Sequence, residues 1–233
     1  MGKWKKWLSA GLFTALLGTA IIAGPTADVS ANAGNKPYNI ENVSPDAHLA
    51  PSVGDSSSKT SSKAWHKIDG VCYNGSGKKV EGAITRGMDV SEWQGKINWK
   101  EAKKDLDFAF VRISYGTRHL DDYYAYNMTE AEAADVPVGT YVYSLAKTNK
   151  EALAEAQLAI RQMQGHKVSY PVAFDLEDEA TLGTLTRKEI SQIALTFCDE
   201  IRKAGYTPIL YMNLNWYNNF VDWNVLEGSG LDV

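Results

Sequence analysis

From residue 86 onward, short apolar runs rich in β-branched and aromatic residues alternate with longer stretches whose apolar side chains return every three or four positions. The runs are GMDVS (87–91), FAFVRIS (108–114), VGTYVYS (138–144), PVAFDLE (171–177) and PILYMN (208–213), and they predict parallel strands. Between them lie helices with recognisable ends. Thr148 and Glu151 form a capping-box pair ahead of Ala152, Ala156, Ile160 and Met163, closed by Gly165. Thr186 and Glu189 do the same ahead of Ile190, Ile193, Phe197 and Ile201, closed by Gly205. Strand, helix and strand recur at the spacing of a βαβ unit, which predicts an α/β fold with a parallel sheet or barrel.

One of these strands ends in charge. YPVAFDLEDEA (170–180) runs from an apolar core pattern into Asp175, Glu177, Asp178 and Glu179, and carboxylates are costly to bury unless paired or used. Asp178 and Glu179 begin the following loop, where capping the next helix or facing water accounts for them. Asp175 and Glu177 continue the strand pattern and, two residues apart, point to the same side about 7 Å from each other. Asp89 ends the first strand. Sites in parallel α/β folds lie beyond the carboxyl ends of the strands, so these three carboxylates are expected to meet in one pocket. Glycoside cleavage uses such a set: one carboxyl protonates the leaving oxygen while another steadies the cationic centre or directs a nucleophile. Like-charge proximity raises the pKa of one member and keeps it protonated near neutrality.

Composition narrows the alternatives. The 233-residue chain is 44% hydrophobic and 22% charged with a net charge of −4, so it has a globular composition and no basic excess for nucleic acid. The four histidines at 48, 66, 119 and 166 are scattered and no Cys-x-x-Cys occurs, so neither a metal centre nor any other cofactor is expected. Ser-His-Asp and Cys-His chemistry lacks the elbow or partner histidine it needs. Cys72 and Cys198 either form one disulfide or act as two separate small hydrophobes.

The first part of the chain reads differently. Lys3, Lys5 and Lys6, an apolar stretch from Trp7 to Ile22, and Ala31-Asn32-Ala33 make residues 1–33 an expected cleaved export signal, leaving no membrane span in the mature protein. Residues 34–63, ending in GDSSSKTSSK, read as a Ser-rich flexible linker. Residues 64–85 carry a turn signal at Asn74-Gly75-Ser76-Gly77, which predicts a hairpin. Its Trp65, Ile68-Asp69-Gly70, Tyr73 and Gly77 resemble one aromatic unit of the repeats that hold exported proteins on cell walls; packing on the following domain explains the same residues.

RGMDVSEWQGKINWKEAKKDLDFAFVRISYGT, VPVGTYVYSLA, YPVAFDLE and YTPILYMN, in this order and spacing, resemble successive blocks of the glycoside hydrolase family 25 lysozymes over residues 86–233. The resemblance implies a TIM-like (β/α) barrel and an N-acetylmuramidase that cleaves the β-1,4 bond between N-acetylmuramic acid and N-acetylglucosamine in peptidoglycan. On the matching positions it implies Glu177 as the catalytic acid, Asp175 as the carboxylate beside it and Asp89 as the first-strand acid. Tyr143 and Tyr211 match cleft-lining positions, with Tyr115, Trp93 and Tyr141 as further sugar contacts; core packing explains each of these rings as well. Family members continue into further strands that supply another acid and close the barrel, so an incomplete, marginally stable barrel of about five of the eight strands is expected here, monomeric when complete. The expected location is secreted or cell-wall associated, with peptidoglycan as partner. The alternative function is a catalytically impaired fragment that binds wall glycan.

Overall fold

The structure, a computed structural model, describes residues 66–74 and 77–231. The expected export signal (1–33) and linker (34–63) lie outside the described residues. Two small elements come first: strands β1 (His66–Ile68) and β2 (Val71–Tyr73) pair antiparallel. They turn through Asp69 and Gly70, both at positive φ, the geometry for which Asp-Gly is suited. The chain reverses again after Asn74, whose side chain and backbone both bond to Lys78, and Tyr73 bridges to Lys79. The turn expected at 74–77 is therefore the second of two; residues 75 and 76 lie outside the described residues. The Lys67 ammonium sits 3.0 Å from Asp107, which also accepts the Arg86 N–H at 2.7 Å, so the hairpin rests on the segment leading into the next strand.

The main sheet contains β3 (Gly87–Val90), β4 (Phe108–Tyr115), β6 (Val138–Tyr143), β7 (Val168–Asp175) and β8 (Pro208–Tyr211), all parallel and adjacent in that order, with β5 (His119–Leu120) returning antiparallel on β4. Short α1 (Trp99–Ala102), then α2 (Tyr124–Ala133), α3 (Asn149–Met163), the one-turn α4 (Glu179–Leu182) and α5 (Arg187–Lys203) connect them; α6 (Leu214–Asn219) and α7 (Trp223–Leu226) follow β8. The strands stand where the apolar runs predict them, and β5 is an addition. Among the described residues the sheet is open, with β3 and β8 at its edges.

Alternation along the strands divides the sheet into two faces. Ala109, Val111 and Ile113 of β4, Val138 and Val142 of β6, Val172 and Phe174 of β7 and Leu210 of β8 join one core with Ala152, Ala156, Ala159 and Met163 of α3 and Ile190, Ile193, Phe197 and Ile201 of α5. The alanine face of α3 lets that helix lie close to the strands, and Phe197 stacks on Phe174 with centroids 4.1 Å apart. Phe108, Phe110, Ala173 and Ile209, with Tyr141, Tyr170 and Tyr211, form a separate cluster on the other face. Strands laid down in sequence order with their crossover helices on one face make the arrangement of a barrel sector; a doubly wound sheet would cover both faces.

Two glycines make room for the inner face. A Cβ on Gly87 would fall 2.2 Å from the Phe108 ring, and one on Gly139 would fall 2.6 Å from the Pro171 carbonyl oxygen. Pro171 has no N–H to give to the ladder, and the β6–β7 register shifts between Val138 and Thr140. Both helix N-caps predicted from sequence are present. The box at Thr186–Glu189 is reciprocal, whereas Glu151 reaches back to the N–H of Lys147 instead of that of Thr148. Cys72 and Cys198 are both free and buried, so they are separate small hydrophobes.

Candidate active site

The inner face changes character toward the carboxyl ends of the strands. Below are the phenylalanine rings; above, Tyr115, Tyr143, Asp175 and Tyr211 stand side by side in one row across β4, β6, β7 and β8. Tyr115 reaches this row through a β-bulge. The β4–β6 register shifts between Arg112 and Ser114, and the additional residue turns Tyr115 onto the face that simple alternation would deny it. Its ring stacks on Tyr143 at 4.8 Å and 15°, and its hydroxyl donates to Asp178 at 3.0 Å. Asp178 also caps α4 by accepting the Thr181 N–H at 2.8 Å, so its role is architectural.

Asp175 closes β7 and is buried. Glu177 lies two residues past the strand end, but the Leu176 N–H still bonds to the Tyr211 carbonyl at 2.9 Å, and Leu176 points into the helix-side core. The extended conformation thus continues far enough to put Asp175 and Glu177 on the same side. Burial pushes the Asp175 carboxyl well up, Glu177 and then Asp89 add to the rise, and Arg112 opposes it. Burial also raises Glu177, while the side-chain amide and backbone N–H of Asn213 bond to it and pull it partly back. Carboxyls coupled in this way lose their protons in sequence, so the pair keeps one proton at a pH where isolated carboxyls are ionised. Asp175 Oδ1 is buried without a hydrogen-bond partner among the described residues.

Phenols surround the pair and remain protonated. Tyr143 and Tyr211 are raised by burial and by the carboxylates around them, and Tyr115 is pushed up to about 12 by burial and Asp178. All three are therefore hydroxyl donors near neutral pH. Tyr141, raised well up by burial and then Asp89, packs against the aromatic cluster below. Trp93 lies in a 3₁₀ turn after β3 (Glu92–Gln94) and is half exposed at 52%.

Sequence reasoning did not single out two groups that act on the carboxyl pair. Arg112 of β4 is buried between Asp121 at 2.9 Å and Glu92 at 3.1 Å; a lone arginine inside an apolar strand run was its signal. Asn213 follows β8, and its Oδ1 accepts the Trp216 N–H at 3.1 Å as the N-cap of α6. Among the described residues no cluster of three or more His, Cys, Asp or Glu side chains is arranged to hold a metal ion, and no helix is long and apolar enough to cross a membrane.

Comparison with known proteins agrees with this geometry. Among solved structures the fold is similar to the modular autolysin LytC from Streptococcus pneumoniae (TM-score 0.56, 23% identity, 66% of this chain and 39% of that one). It is also similar to a family 25 glycosyl hydrolase from Bacillus anthracis (TM-score 0.54, 22% identity, 71% of this chain and 70% of that one). In sequence, Lysozyme M1 of Streptomyces globisporus is 38% identical over 60 residues, 25% of this chain and 20% of that protein. The uncharacterized protein YegX of Escherichia coli strain K12 is 26% identical over 139 residues, 57% of this chain and 49% of that relative, so the chain spans about half its length. The family model for glycosyl hydrolases family 25 matches residues 88–229, more than half of the chain. With its coupled carboxyls at the mouth of a parallel sheet, the chain belongs to glycosyl hydrolase family 25.

Proposed function

We propose that the chain is an exported peptidoglycan hydrolase that cleaves the β-1,4 bond between N-acetylmuramic acid and N-acetylglucosamine. The observation that carries this reading is the pair of buried Asp175 and half-buried Glu177, both carboxyls raised by desolvation, at the carboxyl end of β7 in a family 25 chain. The fold relative LytC has been solved in complex with a synthetic peptidoglycan ligand, which is consistent with a glycan in the corresponding cleft. Residues 1–33, with their export pattern, would deliver the chain to the wall side of the membrane.

In this reading Glu177 gives its proton to the glycosidic oxygen as the C1–O bond breaks, and positive charge develops at C1 and the ring oxygen. Asp175, whose buried Oδ1 is unpartnered among the described residues, accepts a hydrogen bond from the 2-acetamido N–H or steadies that charge. Asp89 adds to the negative field at the site. Water then adds to C1, and the proton it loses restores the carboxyl pair. Tyr143 and the stacked Tyr115 offer ring faces to the sugar C–H groups, with Tyr211, Trp93 and Tyr141 as further contacts.

The test is release of reducing ends from purified peptidoglycan by the full chain and by Glu177→Gln. Loss of about 10²-fold or more of the activity in the variant is expected for removal of a general acid. Equal rates in both proteins would overturn the assignment, and binding without any release would identify a wall-glycan binder.

A further inference from the structure

Glu155 is a buried acid that the reaction does not use. It stands in the second turn of α3, 2% exposed, and accepts the Ser144 hydroxyl at 2.8 Å and the Leu145 N–H at 3.0 Å. The loop from β6 to α3 is fixed donor by donor. The Ser144 N–H gives to the Asp175 carbonyl at 3.0 Å, the Leu145 N–H to Glu155, the Ala146 N–H to Ser144 Oγ at 3.2 Å and the Lys147 N–H to Glu151 at 2.8 Å. Leu145 in turn lies against Gly116, the residue after Tyr115: a Cβ on Gly116 would fall 3.1 Å from Leu145 Cδ1. The Gly116 N–H bonds to the Tyr143 carbonyl at 2.8 Å, so residues 143–145 meet the ends of β4 and β7 at once.

We propose that Glu155 is a positioning residue: from the helix side of the sheet, through Ser144 and Leu145, it holds the stacked Tyr115–Tyr143 rings beside Asp175 as a preformed sugar platform. The inference deepens the hydrolase reading and rests on it for the ligand of that platform. An acid on the core face of α3, in line with Ala152, Ala156 and Ala159, costs desolvation that an apolar side chain of the same size would avoid. What it does there is grip two consecutive residues of one loop. Successive residues at a strand end face opposite sides, so a hold on Ser144 behind the sheet is a hold on Tyr143 in front of it, where its ring stacks on Tyr115 at 4.8 Å. The grip survives a change of protonation. An ionised Glu155 accepts from both donors, and a protonated one accepts from Leu145 and donates to Ser144 Oγ.

Glu155→Met fills the same space without acceptors, whereas Glu155→Gln reproduces the protonated pattern. In the full chain, amide exchange at Gly116, Ser144 and Leu145 should quicken about tenfold or more in Glu155→Met, relative to amides at the amino ends of β4 and β6, for the loss of two hydrogen bonds. The KM for peptidoglycan in reducing-end release should rise several-fold with kcat nearly unchanged. Glu155→Gln should match the parent in both measurements. Ser144→Ala removes one arm of the grip and should move both the same way by less; it decides on the same criteria if Glu155→Met does not fold. Ile201→Val, a core truncation at the far end of α5, controls for lost stability alone and should move neither. Parent-like KM or unchanged relative exchange in Glu155→Met would overturn the proposal, as would an equal rise of KM in Ile201→Val. If the parent chain releases no reducing ends, the hydrolase reading fails, while amide exchange still decides whether Glu155 holds the ring pair.

Discussion

Arg112 Nε lies 2.9 Å from Asp121 Oδ2, with both side chains almost wholly buried, and the same guanidinium reaches Glu92 at 3.1 Å. One cation thus neutralises two acids at the edge of the site and still lowers the pKa of Asp175. Removing one partner of a buried pair leaves an uncompensated charge, at a cost of about 3–5 kcal/mol. Arg112→Met should lower the urea-unfolding free energy by that order, and adding Asp121→Asn should return part of it. A single variant as stable as the parent would mean that water already screens the pair.

The buried Glu155 of α3 accepts from the Ser144 hydroxyl at 2.8 Å and the Leu145 N–H at 3.0 Å, clamping the loop that follows Tyr143. Burial raises its carboxyl to about 7. A raised acid stabilises the fold fully below its unfolded value, near 4.5, and that stabilisation is lost as pH rises through the folded value. Stability should therefore fall by about 3 kcal/mol between pH 4.5 and 7 on this account. Glutamine keeps an acceptor for Leu145 and a donor for Ser144, so melting temperatures of Glu155→Gln over this range should lack that component; identical pH profiles would refute it.

Tyr115→Phe keeps the ring stacked on Tyr143 but deprives buried Asp178 of a hydroxyl donor. A loss of about 1–2 kcal/mol in chemical denaturation is expected. The KM for peptidoglycan should change little in that variant and rise in Tyr143→Ala, which removes the ring itself. The opposite ranking would show that the Tyr115 hydroxyl, not the ring platform, meets the substrate.

Gly87→Ala should destabilise by about 1–3 kcal/mol through overpacking, because its Cβ would overlap the Phe108 ring at 2.2 Å. Phe108→Leu in the same chain should relieve part of the penalty. Additive thermal shifts in the double variant would locate the cost elsewhere.

Much of the sheet was legible because buried parallel strands are apolar throughout, and the placement of Asp175 and Glu177 on one side followed from the two-residue repeat of an extended chain. What alternation could not supply was the irregularity. The bulge at Ile113 turns Tyr115 onto the inner face, and a bulge leaves no mark in hydrophobic pattern. Pro171 did carry a signal, since a residue without an N–H cannot join a central ladder. Glu155 occupies a core phase of α3, beside Ala152 and Ala156, and an acid there asks for a buried partner. Asn213 looked like the end of a strand because a helix cap and a carboxylate donor share one ordinary polar side chain.

The order β3, β4, β6, β7, β8 also has a consequence for how the molecule is made. Each parallel strand docks beside the one synthesised just before it, so the sheet can grow in step with the emerging chain, one crossover connection at each addition. Asp175 and Glu177 arrive with the next-to-last of these strands, and Asn213 arrives only after the last. A nascent chain that stops short of the end of β7 lacks the Asp175–Glu177 pair, and the row of Tyr115, Tyr143, Asp175 and Tyr211 is complete only when synthesis has passed β8.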